Sequence, residues 1–251
     1  MKYIESSKNP QVKQWKKLLT KKDRDKTGKF LIEGFHLVEE ALKETNLVTE
    51  VIVQENVELP IGFQLNDIEV IYVSKDVMKS ISDTEAPQGI AAVCEQPSYQ
   101  VEDFSGKQFL LADAVQDPGN LGTMIRTADA AGMDAVVLGE GSADLFNPKV
   151  IRSTQGSLFH IPVLKADLTH FIAQLKEQGI PVYGTSLEHA DPFEEAEKQD
   201  KFALLVGNEG KGVDKQLLAA TDKNLFIPIF GRSESLNVAV AAGILLYHLK
   251  K

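Results

Sequence analysis

Residues 225–243 read LFIPIFGRSESLNVAVAAG, and three features in succession decide how the C-terminal half folds. An apolar run ending at Pro228 predicts a buried strand. A polar, flexible loop follows, Phe230-Gly231-Arg232-Ser233-Glu234-Ser235. Asn237 then stands where a helix N-cap belongs, and small and branched apolar residues continue to Leu249. No polar face interrupts that helix before Tyr247 and His248, so burial on more than one side is expected. Polar groups at the mouth of a buried helix are costly unless they bind something. The loop is therefore read as one wall of a binding site whose other walls lie elsewhere in the chain.

Working outward, strand candidates fall at 109–112, 135–138, 161–164, 182–183, 202–206 and 225–229. Helical patterns separate most of them, at 121–131 closed by Gly132, at 148–158, at 168–178 closed by Gly179, and at 213–220. The alternation predicts a mostly parallel sheet with helices on both faces, with ligands at the carboxyl ends of the strands. In the first half, Asn9-Pro10 opens a helix with Val12, Trp15, Leu18 and Leu19 at helical spacing. A polar turn at 21–28 leads to a strand at 30–32 and an amphipathic helix at 33–45. Further strands at 51–53, 70–73 and 89–93, with a helix at 75–81, complete a small α/β unit ending near Cys94. Residues 96–107 are polar and hold Pro97 and Gly106, the features of a linker. The expected organisation is a first domain at 1–95, a linker at 96–107 and a second domain at 108–251.

The chain has 251 residues, enough for two modest domains. No apolar run approaches the ~20 residues that span a bilayer, and the N-terminus lacks the apolar core of a secretory signal. A single cysteine, Cys94, excludes an internal disulfide framework. These features predict a cytoplasmic protein without a membrane partner. The net charge of −9 is unevenly spread: residues 1–30 carry ten Lys/Arg against three acids, a local +7 that leaves −16 for the rest. A basic end on an acidic body suits a protein that docks a polyanion with one lobe.

Three post-strand loops of the second half share a composition. In DAVQDPGNLGTMIR, residues 113–126, Asp117-Pro118-Gly119 makes the turn, Asn120 is the expected N-cap, and Gly122 permits close approach. Arg126 follows one helical turn after Gly122. In VGNEGKGV, residues 206–213, three glycines in six residues allow tight backbone approach and present Asn208 and Glu209. The third is the opening stretch with Arg232, Ser235 and Asn237, and Gly184-Thr185-Ser186 is placed to close a pocket. None of these is a P-loop, a dinucleotide fingerprint or a nucleophile elbow. The five histidines lack ligand spacing and no carboxylate cluster accompanies them, so no metal is expected.

N-L-G-x-x-x-R at 120–126, G-N-E-G-K-G at 207–212 and S-L-N-V at 235–238 resemble, in order and spacing, the three motifs of the SpoU (TrmH-type) RNA ribose 2′-O-methyltransferases. Ser7-Lys-Asn-Pro10, Lys29-Phe-Leu-Ile-Glu-Gly34 and Gln88-Gly-Ile-Ala-Ala92 resemble the ribosomal-protein-like substrate-binding domain often fused ahead of them. The resemblance implies a SPOUT-type α/β domain ending in a trefoil knot, an exception to the rule against knots. It implies a homodimer packed through that region and an S-adenosylmethionine site in the knot. By position, Arg126, Asn120, Glu209, Ser235 and Asn237 match active-site residues. Gly207, Asn208, Gly210, Ile227, Pro228 and Leu236, with Thr185 nearby, match the cofactor site.

The implied reaction is in-line methyl transfer to a ribose 2′-hydroxyl, in which the protein orients two reactants and handles one proton. Arginine holds its proton above a pKa of about 12, so Arg126 is expected to bind the adjacent phosphate or the developing alkoxide. Glu209 is expected to position Arg126 or a neighbouring loop. Ribosomal RNA is favoured over transfer RNA because the fused first domain resembles one suited to large RNAs. The competing readings are an inactive RNA-binding or ribosome-assembly protein on the same fold, a transfer RNA ribose methyltransferase, and a small-metabolite enzyme.

Overall fold

The computed structural model describes residues 2–65, 67–99 and 105–251, so the linker expected at 96–107 lies partly outside the described residues. In chain order the elements are β1 (Lys2–Ile4), α1 (Pro10–Lys17), α2 (Lys21–Thr27), β2 (Lys29–Glu33), α3 (Phe35–Lys43), β3 (Val48–Gln54), β4 (Glu69–Val73), α4 (Lys75–Ile81) and β5 (Ile90–Glu95). They continue with β6 (Gln108–Ala112), α5 (Pro118–Ala130), β7 (Ala135–Leu138), α6 (Pro148–Thr154), β8 (Val163–Lys165), α7 (Leu168–Glu177) and β9 (Val182–Thr185). Last come β10 (Asp191–Pro192), β11 (Phe202–Val206), α8 (Lys215–Ala220), β12 (Lys223–Phe226) and α9 (Val238–Leu249). The residues fall into two compact units, one of everything up to Ser98 with Asp144–Phe159, the other of Tyr99–Ala143 with His160–Lys251.

The first unit is built on a five-stranded sheet in the order β1-β4-β3-β5-β2, in which β5 runs antiparallel to β3 and β2. Asn9 caps α1, its Oδ1 accepting the Gln11 N–H at 2.8 Å, with Pro10 in the first turn. Val12 and Trp15 turn inward to a core of Ile52, Ile71, Val77 and Met78, while Lys13 and Lys17 stay exposed. The buried indole is not left unpaired: its Nε1 donates to Glu50 Oε2 at 2.7 Å. Two sequence expectations fail here. The polar turn at 21–28 is the helix α2, capped by Thr20 and closed by Gly28 at φ +67°. It lacks apolar periodicity because its buried residue is Arg24, which donates to the Leu18 carbonyl at 2.8 Å and pairs with Asp144. Strand β1 was invisible because only Ile4 of its three residues is buried.

Asp144–Phe159 completes this unit. Phe146 stacks on Phe30 with ring centroids 4.7 Å apart, Arg152 pairs with Asp83 at 3.0 Å, and His36 Nε2 meets the Gln155 carbonyl at 3.0 Å. The helix expected at 148–158 divides into α6 and a 3₁₀ turn, Ser157–Phe159, because Gln155 and Gly156 both take positive φ.

In the second unit seven strands, all parallel, follow the order β10-β12-β9-β11-β6-β7-β8. Central strands β6, β7 and β11 are near-continuous apolar runs, as burial on both faces requires. One core layer gathers Phe109, Leu111, Val137, Leu164, Phe171, Ile172, Leu175 and Leu205. Strand β12 ends at Phe226, earlier than expected, so Ile227, Pro228 and Ile229 belong to the loop and are only partly buried. Helix α9 packs on α5 and β11 through Ala239, Ala242, Leu245, Leu246 and Leu249. Its other side is open in the single chain, where Val240, Ile244 and Tyr247 are 52%, 37% and 59% exposed. Burial on more than one side therefore does not hold within one chain.

Candidate active site

Three loops of the second unit leave the carboxyl ends of β6, β11 and β12, and hydrogen bonds tie them together. Asp117 caps α5: its side chain accepts the Asn120 N–H at 2.8 Å, and Pro118 occupies the first helical position. Asn120 was expected in that role. It instead sits inside the first turn, which frees its side chain to bridge the other two loops. Its Nδ2 donates to Glu209 Oε1 at 3.0 Å, and its Oδ1 accepts from Asn237 Nδ2 at 2.8 Å. Asn237 caps α9 as expected, its Oδ1 accepting the Ala239 N–H at 2.9 Å and the Val240 N–H at 3.3 Å.

The loop after β11 is a closed turn, with Asn208 and Gly212 exchanging backbone bonds of 3.0 and 2.9 Å. Asn208 Oδ1 accepts the Gly210 and Lys211 N–H groups at 3.0 and 3.1 Å, and its Nδ2 donates to the Ala114 carbonyl at 2.9 Å. Glu209 reaches the same partner loop, accepting the Gln116 and Asp117 N–H groups at 3.1 and 3.0 Å. Partial burial pushes the Glu209 carboxyl up, but hydrogen bonds from Asn120 and from backbone N–H groups including Asp117 and Gln116 outweigh it. They hold the group below the usual glutamate range. A folded value below the unfolded one contributes stability above the unfolded pKa and loses it as pH falls through the folded value. The stability gap between the parent and Glu209→Gln is thus expected to stay constant from about pH 8 to about pH 5 and to close below that. Urea denaturation across pH measures it; a gap that widens in acid contradicts the assignment.

The other predicted residues are placed less tightly. Arg126 lies on α5 with its side chain exposed and pairs with no other described residue. Ser235 is exposed, its carbonyl accepting from Ser233 Oγ at 2.8 Å. Thr185 Oγ1 donates to the Leu205 carbonyl at 3.1 Å, tying β9 to β11. Sequence reasoning missed Asp117, although Asp-Pro at a helix start is the N-cap signature, and it missed the backbone of Ala114 and Gln116, for which no signal exists.

The donor set suits a nucleoside ligand. No hydrogen bond ties the backbone of residues 227–234 to another described residue, so its N–H and C=O groups are free to read a base or ribose. Leu236 is 38% exposed and Ile227 and Pro228 are partly exposed, offering apolar surface beside those groups. Gly207 can carry no side chain, since a Cβ there would lie 2.2 Å from Gly212 C and Val213 N. A separate cavity of about 710 Å³ at the ends of β6 to β8 is lined by Asp113, Glu140, Asp167 and Asp214 with Lys165, a charge that disfavours phosphate.

The expectation that no carboxylates accompany the histidines fails at His36, where Glu39 and Glu40 share the face of α3 within 4.8 Å. Their spacing of three and four residues is a helical period. Glu40 is engaged by Lys43 at 2.7 Å and His36 by the Gln155 carbonyl.

A model of the SpoU rRNA Methylase family matches residues 107–247, and one of the MRM3-like substrate binding domain matches residues 9–92. The 23S rRNA (guanosine(2553)-2'-O)-methyltransferase RlmP of Bacillus subtilis (strain 168) is 55% identical over 250 residues, spanning 100% of each chain. The AdoMet-bound rRNA methyltransferase from Sinorhizobium meliloti superposes with a TM-score of 0.89 at 34% identity, over 99% of this chain and 97% of that one. The SpoU methyltransferase AviRb from Streptomyces viridochromogenes, in complex with AdoMet, superposes with a TM-score of 0.86 at 28% identity, over 96% and 97%.

Proposed function

The chain belongs to the SpoU rRNA methylase family of S-adenosylmethionine-dependent RNA 2′-O-ribose methyltransferases, and we propose that it methylates a guanosine ribose of 23S rRNA. Full-length identity of 55% to the Bacillus subtilis 23S rRNA enzyme supports that substrate. The observation that carries the site is the chain Glu209–Asn120–Asn237, which draws three distant loops to one place.

Bound S-adenosylmethionine supplies a sulfonium methyl as the electrophile. The backbone at Gly207, Gly210, Ile227, Pro228 and Leu236, with Thr185 alongside, holds the cofactor, within the trefoil knot that the family resemblance implies. Arg126 binds the phosphate beside the target ribose or the alkoxide that develops on it, and phosphate or water takes the proton. Glu209 orients Asn120 and the loop before α5, and Asn237 and Ser235 line the third wall. In the first unit Lys8, Lys13, Lys17, Lys22 and Lys26 are exposed on or beside α1 and α2, a surface for the RNA backbone. An RNA substrate of this kind places the chain in the cytoplasm; among the described residues no helix is long and apolar enough to cross a membrane.

The open face of α9 fits a second copy of the chain. Val240, Ile244 and Tyr247, at i, i+4 and i+7, share one side of the helix as an exposed apolar stripe. Ile244→Glu is expected to convert a dimer to a monomer by light scattering, with far-UV circular dichroism unchanged. A parent already monomeric at micromolar concentration removes the homodimer from the proposal.

The function is tested by incubating the chain and labelled S-adenosylmethionine with unmodified 23S rRNA and with transfer RNA, then mapping 2′-O-methyl positions. Transfer to a 23S guanosine is expected. Transfer to transfer RNA alone replaces the substrate; tight RNA binding with no transfer and no cofactor binding favours an inactive assembly protein.

A further inference from the structure

Ala114 is a strained residue in a functional loop. Its φ of +51° lies in the left-handed region, which an L side chain adopts at a penalty. No glycine occupies the position, and Ala114 sits tightly over Gly141, where an added Cβ would lie 3.2 Å from its own. A conformation of this kind persists only where neighbours impose it. Two bonds hold this stretch: the Ala143 N–H donates to the Val115 carbonyl at 2.8 Å, and Asn208 Nδ2 donates to the Ala114 carbonyl itself at 2.9 Å, from 94 residues away in sequence. The other end of the same amide is committed as well, because Oδ1 closes the 208–211 turn by accepting from Gly210 and Lys211. Two residues later, the Gln116 and Asp117 N–H groups point at Glu209.

We propose that Asn208 is a positioning residue rather than a cofactor ligand: it locks the left-handed turn at Ala114 so that the loop before α5 meets Glu209 and sets the helix carrying Asn120 and Arg126. The inference rests on the methyltransferase reading for its consequence in rate. Its structural content does not. The side-chain oxygen has no acceptor capacity to spare for a ligand, since it takes two N–H groups, and one of the two Nδ2 N–H donors is spent on the Ala114 carbonyl. Positive φ at Ala114 means that losing the cross-loop bond releases the backbone toward negative φ, which swings the 115–117 amides away from the carboxylate.

Asn208→Asp isolates the bond. It keeps the acceptor that closes the 208–211 turn and puts an oxygen against the Ala114 carbonyl. At saturating RNA and donor, kcat is expected to fall about tenfold while the Kd for S-adenosylmethionine, by titration calorimetry, stays within about twofold. The Gln116 and Asp117 amides are expected to lose hydrogen-exchange protection. Adding Ala114→Gly, which lets the left-handed turn form without a Cβ penalty, should recover about fivefold of the lost rate. A kcat within twofold of the parent overturns the proposal, as does unchanged amide protection, absence of recovery in the double variant, or weakened donor binding, which makes Asn208 a cofactor contact. If Asn208→Asp does not fold, Asn208→Ser, too short to reach Ala114, is read by the same measurements. An inactive parent removes the function proposed above, while the exchange and donor-binding arms still decide the clamp.

Discussion

Arg126→Ala is expected to lower kcat for methyl transfer by about 10²- to 10³-fold, the scale for removing one group that stabilises charge in a transition state. The residue is on an exposed face of α5 and pairs with no other described residue. Its loss should therefore shift stability by no more than about 0.5 kcal/mol, so that a fall in rate is not a folding defect. Cofactor affinity should hold, because no cofactor contact is assigned to it. Arg126→Lys keeps the charge but loses the planar fork that meets two oxygens at once, so an intermediate rate is expected. Single-turnover kinetics with calorimetric titration of the donor separate these terms. An Arg126→Lys enzyme at near-full turnover would dispose of any need for the guanidinium plane.

The second large effect lies in backbone, not chemistry. A Cβ built on Gly207 would fall 2.2 Å from Gly212 C and Val213 N and 2.4 Å from the Gly212 carbonyl oxygen. None of these is the end of a flexible side chain, so the turn itself must open. Gly207→Ala is expected to lose about 3 kcal/mol of stability or more, roughly 6–12 °C in Tm for a chain of this size. Donor binding should fall with it, because the same turn carries the Gly207 and Gly210 backbone assigned to the cofactor. The control is Gly210→Ala, where the added Cβ would meet only Asn208 Oδ1, at an ordinary 3.7 Å; its Tm is expected within about 2 °C of the parent. Calorimetric melts of the two variants check the pair, and equal losses would show that crowding at Gly207 is not the cause.

Elements set by local signals were legible in the chain, and elements set by distant partners were not. Periodicity and capping chemistry located α1 from Asn9-Pro10, α7 from its apolar spacing and Gly179, and α9 from Asn237, because those signals act within one or two turns of the chain. The strands of the parallel sheet were legible because burial on both faces leaves continuous apolar runs. Errors came where a local signal competed with a distant one. Helix α2 has no apolar stripe because its anchor is a buried arginine whose partner, Asp144, is 120 residues away. Asn120 and Asp117 both have N-cap chemistry, and which of them capped α5 was settled when Glu209 and Asn237 occupied the Asn120 side chain.

The order and spacing of the three glycine-punctuated motifs, the parallel-sheet class and the basic N-terminal end belong to the sequence itself, since each rests on residue type and short-range periodicity. Which atoms meet belongs to the tertiary structure. The bonds that assemble the site, from Glu209 to Gln116, Asp117 and Asn120 and from Asn237 to Asn120, join residues 89 to 117 positions apart. Strand order, not local propensity, brings such partners within hydrogen-bond distance, 2.8 to 3.1 Å. The left-handed Ala114 shows the same reach, since its carbonyl is held by Asn208 from the loop after the neighbouring strand β11, 94 residues away.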